Sequence, residues 1–577
     1  MGVNLSRTER GIQAVKVLLT VKKLTVFAFM LLLLVVNNPP CIGVGERIIL
    51  VPDDYGTIQA ALNAASDGDE IVVRDGIYME KLMVRKKVTI RSEKGPDKCV
   101  IAPLPSYGLV VAIVNVSSNG VRMEGFTVSG NYNEIGIAVN NVKECEVSNN
   151  IVRDCSIGIL FFRADKNKAV NNTLIENDFG IGLEIASNNI IMRNVFMKGG
   201  ISVVDSYKNT VKENIVNGKK LIYLEDVSNY VVNEAGQVIA VNCIGITIRG
   251  LNISDTAVGI EFHNTRNSRI EGNVIRNSIY GIQFLQSHNN IIVNNVLQNN
   301  SFNIFLSGTS NVKVVNNMVT DGFNGIIIGG LFESEKNEVT GNVIRRNLIG
   351  ISISMSFRNL VVNNTVEENS VGVFLLMTEN NKIYLNDIVG NNRSVSLDGA
   401  TAQWYSDERM GYRYGGRLFY GYLGNYWGSY NGSDTDSDGV GDTSCEIDKA
   451  VDKYPLARPR SHYVLLRGEV FMVEVFSEKG EVSGGGLYGA GDTVTVQVTS
   501  PLIRGFLTND VFKGWVAENG TLVSRSPTYS FKAKQSLSLK ATWETQPNPM
   551  GIAVVIGIIA ILAMLLLALV KRRSEKF

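Results

Sequence analysis

The chain has 577 residues, 45% of them hydrophobic and 19% charged, too apolar for a disordered protein and long enough for several domains or one long repeat array. Lys and Arg (56) balance Asp and Glu (55), so there is no broad positive field to hold a phosphate backbone and nucleic acid is not an expected partner. The six cysteines show no C-x-x-C spacing of the kind that holds zinc, and no disulfide framework is readable among them.

At the N-terminus, Arg7, Arg10, Lys16, Lys22 and Lys23 precede an uncharged run from Leu24 to Val36, then Asn37-Asn38-Pro39-Pro40 and small residues to Gly45. That order reads as a signal peptide or signal anchor over residues 1–45. Thr57-Ile58-Gln59-Ala60-Ala61-Leu62-Asn63-Ala64-Ala65 predicts a helix, which Gly68-Asp69 ends before a strand opens at Ile71. Such a helix is placed to cover the open edge of a solenoid.

A Gly or Asn then precedes an apolar-x-apolar triplet at Gly158, Gly180, Gly259, Gly281, Asn303, Gly325, Gly350 and Gly372, in steps of 22 apart from one of 25 and a gap after Gly180. A second series keeps the same beat: Asn150, Asn172 and Asn194, then Asn273, Asn295, Asn317, Asn342, Asn364 and Asn386. The outer positions of each triplet, such as Ile260/Phe262 and Ile282/Phe284, are apolar throughout and share a face because strand side chains alternate. Stacked coils put these in interior ladders. Asn suits the corners, since it tolerates φ > 0 and its amide can bond the Asn of the next coil. The pattern predicts an all-β fold, a right-handed parallel β-helix over residues 46–400. A leucine-rich repeat shares the period but not the L-x-x-L-x-L-x-x-N frame or an intervening helical segment.

Residues 401–460, with Trp404, Tyr405, Tyr412, Tyr414, Tyr420 and Trp427, predict an aromatic C-terminal cap, and residues 463–545 a small β module. Gln546-Pro547-Asn548-Pro549 reads as a linker. Gly551 to Val570 are uncharged and mostly apolar, enough at ~1.5 Å per residue to cross a hydrocarbon core ~30 Å thick. Lys571, Arg572 and Arg573 follow, which places the tail, residues 571–577, in the cytoplasm and the bulk of the chain outside the cell or in the periplasm.

Thr57-Ile58-Gln59, Gly68-Asp69 and Gly76-Ile77-Tyr78-x-Glu80 resemble the opening of pectin-lyase-like β-helices. Ala235-Gly236-Gln237-Val238-Ile239, the Asn/Gly coils, Gly424-Asn425-Tyr426-Trp427-Gly428-Ser429-Tyr430 and Asp452-Lys453-Tyr454-Pro455-Leu456 are similar to the NosD-like β-helix family, over about residues 46–458. That family is named for a periplasmic accessory of nitrous oxide reductase described as copper-binding. Gly484-Gly485-Gly486-x-Tyr488, Gly491-Asp492-x-Val494, Phe512-x-Gly514-Trp515 and Tyr529-x-Phe531 resemble an internalin-type B-repeat module, which implies a stalk or adhesion unit.

Three groups of residues carry possible chemistry. Asp434, Asp436, Asp438, Val440 and Asp442, with Gly439 at the turn, have the spacing of a calcium loop, although Cys445 stands where a bidentate Glu would close it and Asp448 or Glu446 would have to substitute. Glu261 and His263 alternate with Ile260 and Phe262 and point outward, as an acid/base pair on a β-helix face or as an exposed polar pair. Phe305, Ile327 and Phe374 occupy outward triplet positions, an apolar stripe that either serves as a binding surface or lies under the Trp404–Tyr430 segment. Copper wants clustered His, Cys or Met; with three His in all and Met scattered, calcium is the expected ion and copper is not. The expected function is non-catalytic binding of a polysaccharide or of an envelope or surface protein. A polysaccharide lyase or hydrolase on the same fold is the alternative, and a copper accessory role the second.

Overall fold

A computed structural model describes residues 47–103, 111–466 and 468–574 of the chain. The signal segment expected over residues 1–45 lies outside the described residues. The chain forms two compact units. The first runs to Tyr405 and takes in Gly424–Ser433 and Gly441–Arg460; the second takes Ser406–Leu423, Asp434–Val440 and the chain from Ser461 onward. Residues 401–460 contribute to both.

The first unit is a parallel β-solenoid with three strands to a coil. Val258–His263, Arg269–Glu271 and Val274–Arg276 make one coil, and each pairs in parallel with its counterpart in the next: Tyr280–Leu285, Ile291–Val293 and Val296–Gln298. The triplet positions stack as expected. Ile260, Ile282, Ile304, Ile326, Ile351 and Val373 follow one another in register, all 0% exposed. The Phe262 and Phe284 rings stack at 4.7 Å. Each such side chain contributes roughly 1.5–3 kcal/mol by leaving water, and the contribution repeats with every coil. At the start, the helix Ile58–Ala64 is capped by Thr57, whose side chain accepts from the Ala60 N–H, while the Glu80 carboxylate accepts the Ile58 and Gln59 N–H groups at 2.9 Å each.

Two adjacent residues share the corner work that the sequence assigned to one Asn. The residue with φ > 0 comes first, as at Asn294 (55°), Asn316 (53°) and Asn363 (59°). The Asn after it is buried and forms the ladder: Asn295 Oδ1 accepts the Asn273 N–H at 2.9 Å, and its Nδ2 donates to the Ile270 carbonyl at 3.0 Å. Repeated at each coil, this satisfies corner amides that burial would otherwise leave unpaired.

One coil swaps the two residue types and keeps the rung. The ladder Thr256, Ser278, Asn300, Asn347, Asn369 has Gly322 where an amide is due, and Asn303 stands where other coils have Gly. Asn303 Oδ1 accepts from Asn300 Nδ2 at 2.8 Å and its Nδ2 donates to Asn347 Oδ1 at 3.2 Å, filling the gap. A Cβ on Gly322 would lie 2.4 Å from that Nδ2, so each substitution requires the other.

The solenoid is two stacks, not one. Ile201–Val204 is the last strand of its six-stranded sheet. Soon after, Ile215–Val216 turns through Asn217-Gly218, both at positive φ, and pairs antiparallel with Lys219–Glu225. Gln237–Val241 and Val258–His263 then continue parallel to that new strand. The outer face of these strands covers the end of the first stack: Leu221, Ile239 and Val241 join the first core, while Val238, Ala240, Ile260 and Phe262 belong to the second.

At the other end of the unit, Asn425 supplies the last rung by accepting the Asn386 N–H at 3.1 Å. Trp404 and Trp427, 5.5 Å apart, close the core. In the second unit, Val470–Ser477, Leu537–Pro547 and Thr508–Ala517 are neighbours in one sheet, over a core that includes Val473, Val494, Trp515 and Leu539. The expected linker is nearly absent: Gln546 and Pro547 end the strand Leu537–Pro547, and only Asn548 precedes the helix Pro549–Ser574. That helix is long and apolar enough to cross a membrane.

Candidate functional site

Glu261 and His263 point away from the interior of their own coil, as alternation requires, yet they are 0% and 1% exposed. The expectation of an outward pair on an open face is corrected by the reversal at Asn217-Gly218, which lays that face over the first stack. Glu261, together with Gln237 of the preceding strand, completes its unfinished edge. Gln237 Oε1 accepts the Ile201 N–H at 2.9 Å and its Nε2 donates to the Ile201 carbonyl; Glu261 accepts the Val203 N–H at 3.0 Å. The side chains thus stand in for the strand that the edge lacks. Burial pushes the Glu261 carboxyl up to about 8, with the Val203 amide pulling the other way. His263 Nε2 lies 2.7 Å from the Tyr207 hydroxyl and 3.5 Å from Asp205, and burial holds its pKa below the usual imidazole range.

The structure brings Asp434, Asp436 and Asp438 together, with one carboxylate oxygen from each within 4.8 Å of the others. The loop is shaped by its own amides: Gly439 N–H donates to Asp434 Oδ2, Asp438 N–H to Asp436 Oδ1, and Val440 N–H to Asp438 Oδ1. Asp434 Oδ1 is buried without a hydrogen-bond partner. Gly439 has φ 91° and packs against the Tyr414 and Tyr463 rings, where a side chain has no room. Asp442 is outside the group, its carboxylate accepting from Ser433 Oγ at 2.8 Å. Asp448, expected as a substitute ligand, is held by the Arg393 guanidinium at 2.9 Å.

The apolar stripe is not an open surface. Phe305 and Ile327 are 7% exposed and pack with Leu285, Tyr280 and Phe302; Phe374 is 1% exposed among Ile349, Val371 and Phe323. Side chains from neighbouring coils cover these positions, because bulky residues at matching outward positions stack on one another.

Sequence reasoning missed a polar cavity at the junction of the two stacks. It measures about 300 Å³, and its lining includes Asp178, Lys198, Asp255, Asn277, Asn299 and Ser301. The reversal builds it by setting Gly199 of the first stack beside Asp255 and Thr256 of the second, with Gly199 N–H donating to the Asp255 carbonyl at 3.1 Å. Lys198 is held by Glu176 at 3.1 Å, and Asn299 Nδ2 donates to Asn277 Oδ1 at 2.9 Å. Carboxylates, amides, a hydroxyl and an ammonium in one cleft offer donors and acceptors together, as a polyhydroxylated ligand requires.

Softer metal donors are taken up elsewhere. Cys145, Cys155 and Cys243 are buried and donate to backbone carbonyls, and His288 Nδ1 faces Ser310 Oγ at 2.9 Å. Among the described residues, the one group of three or more His, Cys, Asp or Glu ligand atoms is the all-carboxylate Asp434 cluster.

The solved structures to which the fold is similar include the A-module of mannuronan C-5 epimerase AlgE6 from Azotobacter vinelandii (15% identity, 61% of this chain and 95% of that one, TM-score 0.24). Others are the catalytic domain of a GH87 alpha-1,3-glucanase in complex with tetrasaccharides (12%, 64% and 70%, 0.27) and the periplasmic alginate epimerase AlgG (12%, 62% and 82%, 0.28). At such TM-scores none of these bears on the chemistry of this chain. A cell surface glycoprotein of Methanothermus fervidus is 28% identical over 131 residues, 22% of this chain; the match spans 21% of that relative's length. The family model described as periplasmic copper-binding protein (NosD) matches residues 62–233 and again 220–432, two matches that meet beside the chain reversal. Together they cover well over half of the sequence, and the chain belongs to the NosD family.

Proposed function

We propose that this protein is a membrane-anchored surface protein whose solenoid binds a polysaccharide or a surface partner without chemistry on it. The observation that carries the reading is the burial of Glu261 and His263. Of the pair with acid/base spacing, Glu261 finishes a sheet edge and His263 is buried against the Tyr207 hydroxyl, both out of reach of any polymer. The helix Pro549–Ser574, ending in Lys571, Arg572 and Arg573, supports anchorage with the tail in the cytoplasm. The resemblance to a cell surface glycoprotein and the word periplasmic in the family's description agree with an exported solenoid. On this reading the junction cavity receives sugar hydroxyls, and the B-repeat-like module is a short stalk.

Copper, which the family's description names, stands against the expectation drawn from the donor count. Among the described residues, the clustered donors do not fit it: they are carboxylate oxygens, hard donors suited to calcium, and no imidazole or thiol is among them. A calcium ion at Asp434, Asp436 and Asp438 is accordingly part of the proposal.

The test is a panel of neutral and acidic polysaccharides offered to the detergent-solubilised chain with calcium, scored for retention and for new reducing ends or unsaturated products. Retention without products, weakened by Asp255→Ala and Asn277→Ala, is expected. Turnover of any polysaccharide would overturn the non-catalytic reading.

A further inference from the structure

The second unit carries an apolar hairpin tip fastened to the start of the membrane helix. Leu502–Arg504 and Thr508–Ala517 pair antiparallel and turn through Gly505, Phe506 and Leu507. Thr508 also pairs with Pro547, so the turn lies at the end of the sheet from which the chain enters the helix. Asn548 ties the two together: its N–H donates to the Leu507 carbonyl at 2.8 Å and its Nδ2 to the Gly505 carbonyl at 2.7 Å. Gly551 is buried against the Phe506 carbonyl, where a Cβ has no room.

These bonds hold the tip at the level of the first helical turn, yet its side chains stay open. Phe506 is 63% exposed and Leu507 48%, beside Met550 at 80%. On a soluble surface such a cluster is an aggregation liability; at a bilayer it is in its proper solvent. The other end of strand Thr508–Ala517 turns through the polar residues Glu518, Asn519 and Gly520, with Leu522 (44% exposed) two residues beyond.

We propose that Phe506 and Leu507 insert into the outer boundary between headgroups and acyl chains, a second contact that seats the module on the bilayer. This rests on the reading of Pro549–Ser574 as a membrane span, whose apolar stretch opens at Met550 and Gly551 beside the tip. An aromatic ring and an apolar neighbour at that level match the interfacial preference of such side chains, with a depth of about 5–10 Å. Two attachments fix the module's tilt, where one would leave it free to swivel.

The experiment uses the full chain in phosphatidylcholine nanodiscs, with nitroxide labels on Phe506→Cys, Leu565→Cys and Asn519→Cys in turn and the unsubstituted chain as a labelling blank. Power saturation compares collision with oxygen and with a water-soluble nickel chelate. The label at 506 is expected to favour oxygen several-fold over the label at 519 and to read shallower than the label at 565. A 506 label as open to chelate as the 519 label, with 565 still deep, overturns the proposal and leaves the span intact. Chelate access at 565 overturns the span, and the proposal falls with it.

Discussion

Two places in the solenoid bury a carboxylate to finish an open end, and they do it differently. At the junction, Glu261 receives one backbone amide, that of Val203. At the C-terminal end, Asp452 receives the Asn425 N–H at 2.7 Å, the Trp427 indole N–H at 2.9 Å and the Tyr454 N–H at 3.1 Å. Both are almost fully buried. Burial raises both, but Asp452 only to about 6 against about 8 for Glu261, because its donors offset part of the desolvation. Asp452 is thus held nearer the ordinary carboxylate range than Glu261.

The largest break in this comparison is expected at Asp452. Asp452→Ala strands the Asn425, Trp427 and Tyr454 donors and should cost on the order of 4 kcal/mol, with Asp452→Asn closer to the parent. Hydrogen exchange of strand Tyr426–Trp427 should accelerate ahead of the rest; unchanged protection there would refute the ladder-end role.

Next comes the amide that replaces a missing rung in mid-stack. Asn303→Gly and Gly322→Asn should each cost about 1–3 kcal/mol, the first by leaving Asn300 and Asn347 short of a partner and the second by collision. The double exchange should recover most of the loss, and a coupling energy near zero in the double-mutant cycle would show the two sites to be independent.

Glu261→Gln sharpens the comparison by removing the titration while keeping an acceptor for Val203. Because the folded carboxyl sits above its ordinary 4.5, the parent's stability is full below that value and falls as pH rises toward about 8. The slope is at most ~1.4 kcal/mol per pH unit. The variant should lack this slope in melting curves taken across that window and exceed the parent at alkaline pH; parallel curves would mean that Glu261 does not titrate there.

The smallest effect on stability is expected at the Asp434 loop, to which the proposal assigns a calcium ion. Terbium luminescence excited through the nearby tyrosines should appear, fall on adding calcium, and vanish in the Asp434→Asn, Asp436→Asn, Asp438→Asn triple variant. Signal retained by that variant would place the ion elsewhere.

The repeat was legible because interior ladders impose one residue type per coil: Ile260, Ile282 and Ile304 announce their neighbours. The apolar helix was legible from composition. Glu261 was misread for a physical reason. Alternation tells which side of a strand a residue takes, but not what lies on that side, and here a second stack does. The traces were the gap in the beat between Gly180 and Gly259 and the dipeptide Asn217-Gly218, a strong two-residue hairpin signal. The junction cavity was invisible for the same reason, since Lys198 and Asn277 meet only through that reversal. Asp452 lay within a motif noted for its resemblance, yet nothing local marks a carboxylate as the end of a ladder. Phe305, Ile327 and Phe374 are buried where exposure was expected, because stacking between coils is a matter of register.

The way the first stack ends has a consequence for how such a chain can change length. Ile201 and Val203, in the final coil of the first stack, meet Gln237 and Glu261, and the helix Ile58–Ala64 packs against the opening strands. A coil such as residues 150–171 pairs with a following coil that carries the same Asn at the same place, Asn172 after Asn150, while the preceding coil has Phe126 there. Deleting or duplicating those 22 residues rejoins like to like. Interior coils are therefore interchangeable parts whose number can drift by whole units, while the residues at the junction are bound to one another whatever the length between.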